Sequence, residues 1–163
     1  MIRLGILIAS DKGYSGERTD ESGKVLIEAF SRPGYEIVEY KILPDEREII
    51  SRNLCRQADD LGIDLILTSG GTGFSPRDIT PEATLDVVQR QVPGISEAIR
   101  QKSLEFTPYA MLSRGISGIR NKTLIINLPG SPKAVRECIE VIVPVLPHAI
   151  GILKGQTGEC ARQ

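Results

Sequence analysis

The order of the hydrophobic segments constrains this chain more than any other feature. Ile2 to Ala9 is a nearly continuous apolar run rich in isoleucine, the pattern of a strand buried on both faces. Val25, Leu26, Ala29 and Phe30 then recur at helical spacing behind Asp20 and Glu21, and Pro33-Gly34 ends that helix. Tyr35 to Leu43 reads as a strand with Glu36, Glu39 and Lys41 interleaved. Asp45-Glu46-Arg47-Glu48 opens a second helix, carried by Ile49, Ile50, Leu54, Ala58 and Leu61 and closed by Gly62. Ile63 to Thr68 is a third buried strand. Strand–helix–strand–helix–strand in so short a stretch requires parallel strands joined by right-handed crossovers.

Downstream, Thr80-Pro81-Glu82 starts another helix with proline at its favoured first position. Ile95 to Phe106 is helical, and Ser131-Pro132 starts a last helix through Val135, Cys138, Ile139 and Ile142. Ile116–Ile119 and Thr123–Ile126, separated by Arg120-Asn121-Lys122, read as a hairpin, which makes one strand antiparallel. The expectation is a three-layer α/β fold: a mixed, mostly parallel sheet flanked by helices, in a single domain over residues 1–163.

Charge and inventory remove several function classes. Twenty Lys and Arg against 21 Asp and Glu give a net charge of −1, which argues against a nucleic-acid or membrane-surface binder. Four tyrosines and three phenylalanines are too few for a base-stacking platform. Three cysteines (Cys55, Cys138, Cys160) and one histidine, His148, supply neither a disulfide framework nor a Cys/His zinc cage. His148 lies in a Pro-rich apolar run, an unsuitable setting for a triad base. Val141 to Leu153, the longest uncharged stretch, contains Pro144 and Pro147 and falls short of the ~20 residues of a membrane span. No targeting segment is legible, so the expected location is the cytoplasm.

In open α/β sheets ligands bind beyond the carboxyl ends of the strands, and three such ends carry unusual loops. The first is Ser10-Asp11-Lys12-Gly13-Tyr14-Ser15-Gly16, the second Ser69-Gly70-Gly71-Thr72-Gly73-Phe74-Ser75-Pro76-Arg77-Asp78, the third Asn127-Leu128-Pro129-Gly130-Ser131-Pro132-Lys133. In the second loop, three glycines in four positions let backbone N–H groups approach a ligand, and Ser69 and Thr72 add hydroxyls. This is chemistry for phosphate or a carbonyl-rich ring. No Gly-Lys-Ser/Thr follows, so it is not a P-loop.

Four residues in or near these loops have a structural reading to weigh. Thr80 is placed as the N-cap of its helix. Asp78 is either a turn side chain, an ion-pair partner of Arg77, or an aspartate aimed into the crevice. In the last case it needs a cation, and magnesium, held by one or two carboxylates plus substrate phosphates, is the natural partner. Asp45-x-x-Glu48 before an apolar face has the spacing of a capping box, which by itself makes Asp45 a cap. Lys133 falls in a first helical turn, where positive charge opposes the helix dipole unless an anion binds there; the alternative is a solvated lysine.

The motifs together resemble a known family. Thr68-Ser69-Gly70-Gly71-Thr72-Gly73 followed by Arg77-Asp78-Ile79-Thr80-Pro81-Glu82 is similar to the signature of the MogA/MoaB proteins of molybdenum-cofactor biosynthesis, a domain also found in gephyrin. Asn127 to Lys133 resembles the family's second motif, and Ser10-Asp11, Asp20 to Gly23 and Leu43 to Glu46 resemble its N-terminal parts.

The resemblance implies adenylyl transfer from Mg-ATP to molybdopterin, with release of pyrophosphate. Its alternative is a non-catalytic molybdopterin carrier or scaffold of the same fold. The resemblance implies catalytic roles for Asp45 and Asp78, which reverses the capping reading of Asp45, with Asp78 at the magnesium ion. It implies substrate contacts from Ser10 and Asp11, from Ser69, Gly70, Gly71, Thr72, Gly73 and Thr80, and from Asn127, Pro129, Gly130, Ser131 and Lys133. ATP as co-substrate, a homotrimer and hand-over of product to a molybdenum-insertion protein follow from the same resemblance.

Overall fold

The structure, a computed structural model, describes residues 1–156. Its strands are β1 (Ile2–Ala9), β2 (Tyr35–Leu43), β3 (Leu65–Ser69), β4 (Arg90–Gln91), β5 (Ser117–Arg120) and β6 (Thr123–Leu128). They form one sheet in the order β2-β1-β3-β6-β5-β4. β1 pairs in parallel with β2 and β3, and β3 with β6. β5 runs antiparallel to β6 and to β4, so it alone is reversed. The expected mixed sheet and its hairpin are present, with Asn121 turning the hairpin at φ 52°.

The helices are α1 (Asp11–Tyr14), α2 (Glu21–Phe30), α3 (Arg47–Cys55), α4 (Thr80–Leu85), α5 (Pro93–Leu104), α6 (Pro132–Ile142) and α7 (Leu146–Leu153). Alternate residues of the central strands feed two cores, because side chains of a strand point to opposite faces. Leu4, Ile6, Ile8, Leu65, Leu67, Leu124 and Ile126 pack with Leu26 and Phe30 of α2, Ile99 of α5, Val135 and Cys138 of α6 and Ile150 of α7. Leu7, Ala9, Ile66 and Ile125 pack on the other face with Ile50 and Leu54 of α3 and Ala83 of α4. These are the three layers. They explain why β1 and β3 read as unbroken apolar runs: neither face meets water.

Several sequence expectations need correction. The helix placed from Asp45 begins at Arg47; its cap residue is Glu46, which makes no side-chain capping bond. Asp45 therefore is not a cap, and the spacing Asp45-x-x-Glu48 misleads. Thr80 is the first helical residue of α4, with Ile79 at the cap position, so Thr80 is not an N-cap either. α3 continues into a π-turn over Arg56–Asp60 before Gly62 ends it at φ 58°. β4 and α7 have no counterpart among the sequence expectations: the first has two residues, and the second is apolar sequence without amphipathic alternation. Cys138 and Cys55 pack on the cores as expected, and Cys160 lies outside the described residues.

Candidate active site

β1, β3 and β6 are neighbours in the sheet and end side by side at Ala9, Ser69 and Leu128. Their three loops meet at Gly70. Its N–H donates to the Leu128 carbonyl (3.2 Å), its φ is 94°, and an added Cβ would lie 2.3 Å from the Ala9 carbonyl oxygen. Gly130 lies against the Gly70 Cα from the third loop. Ser69 Oγ donates to the Pro129 carbonyl (2.8 Å), fastening the second loop to the third. Only glycine meets both demands at position 70, a positive φ and main-chain contact on either side.

A cavity of about 560 Å³ opens over this junction, a size suited to a small-molecule ligand. Ser10, Asp45, Ser69, Gly70, Gly71, Asp78, Gly130 and Ser131 line it. Eight of the expected residues from four separate segments thus come together. Arg18, Thr19, Asp20 and Ser22 also line it, and the sequence reading does not single them out as site residues. Asp20 and Ser131 are the N-caps of α2 and α6, accepting from Gly23 N and Ala134 N. Two helix N-termini therefore face the cavity, each with the partial positive charge that favours an anion.

Two carboxylates at the cavity differ in environment. Asp45 Oδ2 accepts from Asp11 N (2.9 Å), while Asp45 N donates to Asp11 Oδ1 (3.0 Å). Asp45 Oδ1 is buried with no hydrogen-bond partner. Burial pushes the Asp45 carboxyl above its ordinary range, and the nearby charges of Asp11 and Asp78 add to the rise. Arg77 holds Asp11 with a bidentate pair at 3.0 Å and reaches Glu46 at 2.9 Å. That hydrogen bonding keeps the Asp11 carboxyl below its ordinary range. Asp78 Oδ2 accepts from Ser75 N (3.0 Å), so its turn reading is correct, whereas Arg77 pairs with Asp11 and Glu46.

The remaining expected residues sit elsewhere. Asn127 does not line the cavity; it is buried, donating to Thr68 Oγ1 and Thr84 Oγ1 (both 2.9 Å) and accepting from Ile116 N (3.2 Å). Thr80 is buried behind Gly71, and its Oγ1 has no partner. Thr72, Gly73 and Pro129 line a second cavity of about 270 Å³, on the side of Ile99, Tyr109 and Leu112. Lys133 is exposed in the first turn of α6, and Asp11 touches the cavity through Asp45. Arg114, which sequence reasoning missed, binds the glycine loop from behind. It donates through Nε to the Gly73 carbonyl (2.8 Å), through Nη2 to the Asp78 carbonyl (2.7 Å), and through Nη1 to Glu82.

The donor set fits magnesium. Among the described residues no group of three His, Cys, Asp or Glu side chains could cage a metal by itself. Asp45 nevertheless offers a buried oxygen without a partner, and a Cβ on Gly71 would intrude to 3.1 Å from it. One or two carboxylates completed by phosphate oxygens and water is the usual magnesium arrangement.

Known proteins share this fold and much of this sequence. The pattern of the family described as "Probable molybdopterin binding domain" matches residues 5–148. The molybdopterin adenylyltransferase of Helicobacter pylori strain J99 is 46% identical over 156 residues, covering 94% of this chain and 89% of the relative. That of Escherichia coli strain K12 is 39% identical over 176 residues, covering 98% and 89%. The crystal structure of the molybdopterin biosynthesis enzyme MoaB from Thermus thermophilus superposes with a TM-score of 0.91 at 48% identity, covering 98% of this chain and all of that one. With the family pattern spanning all three strand-end loops and the fold shared over nearly the whole length, this chain belongs to the MogA/MoaB family of molybdenum-cofactor biosynthesis proteins.

Proposed function

We propose that this chain is a molybdopterin adenylyltransferase acting in molybdenum-cofactor biosynthesis. A phosphate oxygen of molybdopterin attacks the α-phosphorus of ATP, the bond from that phosphorus to the bridging β-phosphate oxygen breaks, and pyrophosphate leaves. The reading is carried by one observation: Asp45 and Asp78 share a cavity with the glycine loop and two helix N-termini. The names of the relatives support the same activity.

The residues divide the work by their chemistry. Bound magnesium would neutralise phosphate charge; Asp78 and Asp45 would hold it. Raising the Asp45 carboxyl makes its ionised form costly until a cation arrives, which links that carboxylate to metal-nucleotide binding. Gly70 spends its N–H on Leu128, so it serves by shape, not as the phosphate donor its sequence context suggested. Gly71 lines the cavity and makes no hydrogen bond through N–H to the described residues, which leaves that N–H able to donate to a phosphate oxygen. The α6 dipole offsets further negative charge, and Lys133, exposed at the same helix end, would have to swing toward the cavity to add its own. Alignment of acceptor and α-phosphate supplies most of the rate, with no covalent enzyme intermediate.

A homotrimer belongs to the same reading. Tyr109 and Leu112 are exposed apolar side chains lining the second cavity, and Phe74 and Met111, also exposed, follow lining residues in the chain; an apolar surface of this kind suits burial against further copies. Light scattering would give a mass about three times the chain's 17.8 kDa. The enzyme would work in the cytoplasm and pass adenylylated pterin to a molybdenum-insertion protein; among the described residues no helix is long and apolar enough to cross a membrane. The deciding experiment incubates the protein with molybdopterin, ATP and magnesium and separates the products by chromatography. Adenylylated pterin with equimolar pyrophosphate is expected. Tight pterin binding without pyrophosphate under any divalent ion would make the protein a carrier.

A further inference from the structure

We infer that Arg114 is a positioning residue for the Asp78 carboxylate, an inference that deepens the adenylyl-transfer reading and rests on it. The loop from Gly73 to Asp78 has few internal bonds. Asp78 N donates to the Ser75 carbonyl (2.9 Å), Ser75 N donates to Asp78 Oδ2 (3.0 Å), and beyond the loop Thr80 N donates to the Gly71 carbonyl (3.1 Å). The Arg77 side chain ties the middle of the loop outward to Asp11 and Glu46, but none of these bonds holds the Gly73 and Asp78 carbonyls at its ends. Arg114 does so from a distant segment. Its guanidinium donates to the carbonyls of Gly73 and Asp78, the two ends of the loop, and its backbone N donates to the Thr72 carbonyl (2.9 Å).

The chemistry requires a fork. Two carbonyls and one carboxylate converge on one side chain, and a planar guanidinium has donors for all three at fixed angles. A lysine ammonium is a point charge that retains the Glu82 pair and loses the simultaneous grip on both carbonyls. Glu82, in the first turn of α4, accepts from the remaining guanidinium nitrogen, an oxygen acceptor that glutamine also offers. The Asp78 carboxylate packs against Gly73, where an added Cβ would lie 2.9 Å from Oδ2. Holding Gly73 and Asp78 by their carbonyls therefore fixes the direction in which that carboxylate enters the cavity. Arg114 itself does not line the cavity, so it acts through Asp78 and not on substrate.

The test is Arg114→Lys in the full chain, read by two independent measurements. In amide hydrogen exchange, Ser75, Asp78 and Thr80 are expected to lose protection about tenfold, while β1 and β3 keep theirs. In steady-state assays kcat is expected to fall about 10–100-fold, the scale of a small misplacement of a catalytic group, with KM for molybdopterin nearly unchanged. Glu82→Gln, which leaves both carbonyl bonds in place, should retain wild-type loop exchange and kcat. The inference is overturned if Arg114→Lys keeps wild-type exchange in the loop, or loses protection equally in β1 and β3, or fails to fold. It is also overturned if Glu82→Gln matches Arg114→Lys. Exchange is measured without substrate, so wild-type protein that forms no adenylylated pterin sinks the proposed function while leaving this positioning result readable.

Discussion

Gly71 gives the sharpest test of how the site is built, because its neighbours separate backbone strain from crowding. Its φ is 65°, and an added Cβ would lie 2.3 Å from Thr80 Oγ1. Two costs follow for Gly71→Ala. The left-handed backbone costs an L-residue about 1–2 kcal/mol. The overlap, against a fully buried Thr80, costs about 1–3 kcal/mol as overpacking. Together they lower the melting temperature by roughly 4–20 °C, at about 2–4 °C per kcal/mol for a chain of this size.

Thr80→Ala removes the obstacle together with a hydroxyl that has no partner. Losing an unpartnered buried oxygen offsets the lost methyl packing, so that change alone is within about 1 kcal/mol of neutral. The double variant should recover the crowding cost and keep the backbone cost, giving a coupling energy of about 1–3 kcal/mol in a urea-melting double-mutant cycle. The methyl added at position 71 would still crowd Asp45 Oδ1 at 3.1 Å, so adenylyl transfer stays low in the stabilised double variant. An additive cycle, within about 0.5 kcal/mol, would refute the reasoning. Gly70→Ala has no such rescue, since its Cβ meets main chain.

Asp45→Asn keeps the acceptor for Asp11 N and loses no cap, so it should fold normally and lose turnover in single-turnover AMP transfer. Its stability has a signed pH dependence. The Asp45 carboxyl titrates above its ordinary 3.8 when folded, so its contribution to stability is fully present below about pH 4 and is lost as pH rises through the folded value. The melting temperature of Asp45→Asn relative to wild type should therefore increase from about pH 3 to neutrality; a flat difference would remove the argument. Asp78→Ala should melt close to wild type, retain molybdopterin affinity and cut adenylyl transfer by orders of magnitude, whereas near-normal transfer would take Asp78 out of the site. Burial pushes the Cys138 thiol up to about 12, so a thiol reagent at about pH 8 should leave Cys138 unmodified in native protein and label it only on unfolding.

The layers were legible because hydrophobic periodicity reports burial directly. β1 and β3 are buried on both faces and read as unbroken apolar runs, and Val25, Leu26 and Phe30 show the helical face that meets them. What periodicity cannot report is an element stabilised by its neighbours. β4 is two residues that exist because Ile119 and Gly118 offer paired positions. α7 is mostly apolar around its circumference, so it carries no amphipathic stripe, and its one proline stands in its first turn. Local capping rules held at Ser131, which lines the cavity, and failed at two other positions of the site. Asp45 and Thr80 occupy positions that resemble caps, but tertiary contacts with Asp11 and Gly71 hold them.

That failure is informative about the site itself. A cap spends its side-chain oxygen on the first turn of its own helix. Asp45 instead spends one oxygen on a neighbouring loop and leaves the other buried without a partner, and Thr80 leaves its hydroxyl unpartnered beside Gly71. Orphaned buried oxygens cost about 1–3 kcal/mol each, and a chain folded only for stability would satisfy them locally. The strand-end glycines and polar loops could be read as a crevice from sequence because they depend on chain order alone. Arg114 could not, because its meaning rests on three acceptors drawn from Gly73, Asp78 and Glu82, more than 30 positions away. One arginine between Ser113 and Gly115 carries no local signal of that arrangement. Under the proposed function a cation at the free Asp45 oxygen would recover that cost, so tighter binding of magnesium-nucleotide and lower stability of the empty fold would have the same source at this residue.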